Sequence, residues 1–134
     1  MNTIRQVEYF VTEVSSKTGE GARVLSAVSG VNLLAFTGFP SGRKAQIDFV
    51  PEDAEAFKAA AKRAKLKVKA KKGGFLLQGD DRPGAVAELM QRLANSKINV
   101  TAIDAVSAGS GRWGAIFWVK PADLKKASKA LGVM

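Results

Sequence analysis

The chain contains no cysteine and no histidine among its 134 residues. Zinc centres, thiol nucleophiles and imidazole general bases are therefore excluded, which leaves carboxylates, lysines and hydroxyls as the only candidates for chemistry. The acidic residues are scattered rather than clustered. Neither a Gly-x-x-x-x-Gly-Lys-Ser/Thr nor a Gly-x-Gly-x-x-Gly phosphate loop occurs, and the glycines of Ala108-Gly109-Ser110-Gly111 fall between two strand-like runs, where a hairpin turn accounts for them. No apolar run approaches the roughly 18 residues of a membrane span. The opening Met1-Asn2-Thr3-Ile4-Arg5 lacks the hydrophobic region of a secretory leader, so a cytoplasmic location is expected, in keeping with the missing cysteines. These absences read as a non-catalytic chain with no metal, no cofactor and no membrane partner.

What is present is a repeat. Ser15-Ser16-Lys17-Thr18-Gly19 falls on Asp80-Asp81-Arg82-Pro83-Gly84, and Gly30-Val31-Asn32-Leu33-Leu34-Ala35-Phe36 falls on Lys97-Ile98-Asn99-Val100-Thr101-Ala102-Ile103. A period near half the length divides the chain into two small units, residues 1–72 and 73–134.

The first unit reads as strand Val7 to Val14, helix Ala22 to Ser29, strand Leu33 to Phe39, strand Ala45 to Val50, helix Ala54 to Ala64 and strand Leu66 to Ala70. Ile47 and Phe49 share one face of the third strand, and Pro51-Glu52-Asp53 supplies the proline and acids that open a helix. The second unit repeats the order with strand Phe75 to Gln78, helix Gly84 to Ala94, strand Asn99 to Val106, strand Trp113 to Val119 and helix Pro121 to Leu131. Val86, Leu89, Met90 and Leu93 form an apolar stripe at helical spacing. The remaining Leu131-Gly132-Val133-Met134 is short for a fourth strand, so this unit is either incomplete or finished by residues 2 to 6 or by a partner chain. The order is that of an α+β protein with two ferredoxin-like βαββαβ units, antiparallel sheets and helices on one face.

Around Asp81 the residue types point to a small anion pocket. Pro83 suits a first helical position, Asp81 can cap, and the free amides of a helix amino terminus attract a carboxylate. Asn99, expected near the same end of the sheet, offers a donor and an acceptor, as an α-amino acid requires.

Asp81-Arg82-Pro83-Gly84, an apolar helix and then Asn99-Val100 resemble the ACT domain, the small-molecule regulatory module, and the resemblance covers nearly the whole chain as two copies. The second copy resembles the serine-binding regulatory domain of phosphoglycerate dehydrogenases. That domain contacts its effector through a histidine and two asparagines, at the positions held here by Gly79, Asp81 and Asn99. The resemblance implies a ligand site at Gly79, Asp81, Arg82, Pro83, Gly84 and Asn99, with Ser16 and Asn32 as the first-copy counterparts of Asp81 and Asn99. It also implies a pocket between neighbouring domains, an amino-acid effector and a separate regulated protein.

The net charge of +9 raises an alternative. Lys58, Lys62, Arg63, Lys65, Lys67, Lys69, Lys71 and Lys72 carry eight of the positive charges with no acid among them. With the aromatic third strand of the second unit they form an echo of an RNA-recognition motif. Against this, alternating lysines on an edge strand serve to prevent aggregation. Aligning Ile116 and Trp118 with Ile47 and Phe49 leaves Trp113 and Phe117 on the open sheet face, as an interface for a homodimer in preference to nucleic acid.

Overall fold

The computed structural model describes residues 2–133; Met1 and Met134, which the sequence reading assigned to the two units, lie outside the described residues. The chain runs β1 (Thr3–Ser15), α1 (Glu20–Ala27), β2 (Leu33–Ser41), β3 (Lys44–Pro51), α2 (Ala54–Arg63), β4 (Lys69–Asp80), α3 (Ala85–Asn95), β5 (Val100–Gly109), β6 (Arg112–Val119) and α4 (Leu124–Leu131). A 3₁₀ turn at Pro121–Asp123 leads into α4. The two expected strands at 66–70 and 75–78 are in fact covered by the single strand β4 from Lys69 onward, and β1 likewise begins several residues earlier than expected.

Two compact units result. One spans Glu8–Lys71; the other joins the residues up to Val7 to those from Lys72 onward. Residues 2–7, expected with the first half, belong instead to the second. Both β1 and β4 are thereby divided between the units.

In the unit 8–71 the strands lie in the order β2, β3, β1, with the 69–71 end of β4 next to β1. Thr12 Oγ1 donates to Lys67 O at 2.7 Å on that side. In the other unit residues 3–7 of β1 lie beside β4, followed by β6 and β5. Thr3 Oγ1 donates to Gln78 O at 3.4 Å. Residues 3–7 thus hold the fourth-strand position of a split βαβ unit, the order expected of a ferredoxin-like fold.

Each unit has its own core. Phe10 and Val14 of β1, Ile47 and Phe49 of β3, Val24 and Val28, and Phe57, Ala60 and Ala61 of α2 bury one another in the first. Phe57 packs between Phe10 and Phe49, with ring centroids 4.9 and 5.0 Å away. The expected opening of α2 is realised: Asp53 caps it by accepting from Ala56 N at 3.1 Å, and Lys62 and Arg63 sit in its last turn, where the helix dipole favours cations.

In the second unit Phe75 and Leu77 of β4, Leu89 and Leu93 of α3, Ala127 and Leu131 of α4, and Trp113, Ala115 and Phe117 of β6 form one cluster. Phe75 stacks on Phe117 at 5.4 Å. This inverts the face assignment made from sequence: Trp113 and Phe117, expected on the open face, are 4% and 0% exposed beneath the helices. The cause is register. The hairpins close at Ser41 opposite Lys44 and at Gly109 opposite Arg112, so Phe49 corresponds to Phe117 and Ile47 to Ala115. An alignment that matches Ile116 to Ile47 is one residue out, and one residue exchanges the faces of a whole strand. The unbroken apolar run Ala115–Val119 conceals the slip, because Ile116 and Trp118 are buried as well. The α3 stripe is also narrower than its spacing implied, with Val86 and Met90 exposed.

Because residues 3–7 close the second sheet, the partly buried Ile4 belongs to that core. Ile4→Ala is expected to lower the unfolding free energy by about 1 to 2 kcal/mol, less than for a fully buried site. Urea denaturation reads this directly, and an unchanged midpoint would show the strand to be dispensable.

Candidate functional site

The two helix-opening loops share one backbone. Gly19 and Gly84 stand at the N-cap positions of α1 and α3 with φ of 90° and 83°, a left-handed conformation that glycine adopts without penalty. Glu20 N donates to Lys17 O and Ala85 N to Arg82 O, while Arg23 N and Glu88 N return to the glycine carbonyls at 2.9 and 3.0 Å. No side chain caps either helix. Asp81, read from sequence as the cap, instead lies before the turn, and Pro83, read as the first helical residue, lies within it beside Gly84. Asp81 Oδ2 accepts from Ser107 Oγ at 3.0 Å and Asp81 N donates to Gly111 O at 2.8 Å, which fastens the loop to the β5–β6 hairpin.

The loop and the asparagine of each repeat are not brought together. β4 and β5 both run antiparallel to β6 and hence parallel to each other, so α3 returns the chain to the far end of the sheet. Asp80 pairs with Arg112 at one end of β6, and Val100 with Val119 at the other. At roughly 3.3 Å per residue, the 8-residue β6 separates Asp81 from Asn99 by about 23 Å. The first unit repeats this: Ser15 lies opposite Lys44, whereas Leu33 lies opposite Pro51. Asn32 Nδ2 there donates to Glu52 Oε2 at 2.6 Å. The expectation that Asn99 and Asp81 share one end of the sheet is therefore corrected by the crossover topology.

The loops differ in what surrounds them. In the second unit the charged side chains are paired internally: Asp80 with Arg112 at 2.6 Å, and Arg82 with Glu88. In the first unit, a cleft of about 340 Å³ opens between the loop and strand β2. Ser16, Lys17, Glu20 and Gly21 form its polar end, and Phe36, Phe39, Pro40 and Ile47 its apolar wall. Phe36 and Phe39 are 39% and 44% exposed there. Ser16 Oγ donates to Arg43 O at 3.2 Å. The hydrogen bond from Arg23 holds the Glu20 carboxyl below its ordinary range, with the charges of Arg23 and Lys17 adding to the effect. Phe36 and Phe39 were missed as site residues, since on sequence they read only as strand.

At Gly79, where the resemblance puts an effector-binding histidine, the space a side chain would take is filled by the carboxamide of the exposed Asn2. A Cβ there would collide with the Asn2 carboxamide and approach Trp113 Nε1 to 3.1 Å. Asn2 Oδ1 accepts from Asp80 N at 3.3 Å. Among the described residues no group of three His, Cys, Asp or Glu could hold a metal, and no helix is long and apolar enough to cross a membrane.

This architecture of two ferredoxin-like βαββαβ units is shared by solved structures. A protein of Bacteroides thetaiotaomicron superposes with a TM-score of 0.80 at 14% identity, over 95% of this chain and 87% of its own. The ligand-free regulatory subunit of aspartate kinase from Thermus thermophilus gives 0.69 at 13%, over 98% and 95%. Its counterpart from Thermus flavus gives 0.60 at 16%, over 98% and 94%. No family model and no curated protein matches at the sequence level.

The depressed carboxyl makes a pH prediction. Glu20 stays ionised in the fold at a pH where an ordinary glutamate begins to protonate, so its contribution to helix α1 is present above the ordinary value and is lost as the pH falls through the lowered one. Carbon-detected NMR titration is expected to show a Glu20 midpoint below the other glutamates. Arg23→Gln should return it to their range; an unchanged midpoint would disprove the pairing.

Proposed function

We propose that the chain is a non-catalytic regulatory protein that senses a small metabolite, and that the first unit binds a free amino acid with an apolar side chain. The single observation that carries this reading is the cleft, which joins a polar end to an aromatic wall. The uncapped first turn of α1 and the Lys17 ammonium suit an α-carboxylate, Glu20 suits an α-ammonium, and Phe36, Phe39 and Pro40 suit an aliphatic or aromatic side chain. The likeness in fold to subunits described as regulatory supports the same role. Output would then pass through a separate regulated protein.

Self-association is the second part of the reading. β5 is an edge strand whose segment 101–109 carries one charge, Asp104, and exposes Val106 at 67%. Such an edge favours pairing with another strand. A two-fold antiparallel pairing of β5 in two copies would bring Asn99 of one copy toward the Asp81 loop of the other, with Gly79, Arg82, Pro83 and Gly84 around it, and so reunite residues that one copy separates. The nucleic-acid alternative loses its stacking surface, since Trp113 and Phe117 lie in the core.

A thermal-shift screen of the twenty amino acids tests the ligand. A ligand at a hundred times its Kd stabilises the native state by about 2.7 kcal/mol, a rise of several degrees. Leucine, isoleucine, valine, methionine or phenylalanine is expected to give it, and Lys17→Ala or Phe39→Ser to abolish it. A screen without any shift rejects the amino-acid reading. Light scattering tests the assembly: a dimer at high micromolar concentration is expected, converted to a monomer by Val106→Lys. A monomeric parent protein rejects it.

A further inference from the structure

On the other flank of α3, away from β5, the second unit has a crevice of about 30 Å³, which shares only Arg82 with the residues placed around Asn99 in the paired copies above. Its lining comes from residues 2 and 4 at the head of β1, from Leu77, from Arg82, Ala85, Glu88, Leu89 and Arg92 along α3 and its loop, and from Trp113. Trp113 is 4% exposed, and among the described residues its Nε1 hydrogen has no acceptor. An indole N–H only donates, and leaving a buried donor unpaired is unfavourable. The group that belongs beside it must therefore present a lone pair.

Charge narrows the choice. The two arginines at the crevice outnumber its one acid, Glu88. Glu88 pairs with Arg82, and Arg92 Nη2 reaches Ala130 O at 3.2 Å, which leaves the remaining guanidinium hydrogens of both arginines for an anion. The first turn of the 11-residue α3 adds amides without a side-chain cap. The Asn2 carboxamide, a neutral isostere of a carboxylate, already occupies the space above Gly79 and accepts from Asp80 N.

We propose that this crevice binds a small organic carboxylate. One oxygen accepts the Trp113 Nε1 hydrogen, Arg82 and Arg92 pair with the charge, and Asn2 is the plug that the ligand displaces. Arg82 exchanges Glu88 for the ligand. The site is independent of the cleft in the first unit, and failure of either leaves the other standing.

Acetate is the probe. The two indole N–H signals in a nitrogen-15 correlation spectrum are told apart with Trp118→Phe. Sodium acetate is titrated at constant ionic strength against sodium chloride. The Trp113 signal is expected to move downfield and saturate with acetate but not with chloride. Arg92→Met should weaken binding about tenfold or more, the scale of a lost charge-assisted hydrogen bond. Glu88→Gln, which removes a competing acid, and Asn2→Gly, which removes the plug, should each tighten it several-fold. All three positions are exposed, so the core remains intact. A Trp113 response that fails to saturate, that chloride reproduces, or whose midpoint is unchanged in Arg92→Met and Glu88→Gln would overturn the assignment.

Discussion

The second unit's sheet is completed by residues from the opposite end of the chain. After Asp80 the chain builds α3, β5, β6 and α4, and the strand beside β4 on its remaining side is residues 3–7 of β1. Without that segment the β4 backbone would present unpaired N–H and C=O groups next to Phe75 and Leu77. The same segment sets the chemistry of the unit. It delivers Ile4 to the core and Asn2 to the space above Gly79, and so it determines which atoms face the buried indole nitrogen of Trp113.

The left-handed glycine at the head of each first helix is the second constraint. Because Gly19 and Gly84 carry out the reversal with their own backbone, the neighbouring side chains are released from capping. The two units use that freedom differently. Asp81 and Arg82 are tied to Ser107 and Glu88, which stiffens the loop against its hairpin. Ser16 and Lys17 instead border an open cleft with an aromatic wall. One repeated frame thus holds one loop tied through Asp81 to its hairpin and one that borders an open cleft, in keeping with the change from Ser15-Ser16 to Asp80-Asp81.

The repeat, the order of elements and the fold class were legible because they rest on periodicity, which hydrophobic patterning records faithfully. The extra length of β1 and β4 was not. Lys71 to Gly74 carries no alternation, so only pairing with a neighbour defines it as strand. The faces of β6 were misread because five consecutive apolar residues fit either register. The turn after Asp81 was misread because Asp and Pro serve both turns and helix starts, so Pro83-Gly84 fits a turn as well as a first helical turn. Asn99 was misplaced for a topological reason: a strand-helix-strand crossover returns the next strand to the starting end. Asn2 and Trp113 Nε1 could not be found from sequence at all, since they come to the same place over Gly79 only through a strand contributed from the other end of the chain.

The basic segment can now be weighed on structure rather than composition. Lys67, Lys69 and Lys71 are exposed, whereas Val68 between them packs against the first core. With Trp113 and Phe117 enclosed by helices, the aromatic strand expected to act with these lysines is not available to hold a base. What remains to them is non-specific attraction to phosphates, which salt releases. Their alternation has a sufficient explanation in the strand itself. The 69–71 segment is the outermost strand of the unit 8–71, and a row of like charges there opposes pairing with a foreign strand. β5 lacks such charges. The chain therefore guards one strand by repulsion and leaves another free to associate, and this contrast, more than the total of +9, is what the charge distribution expresses.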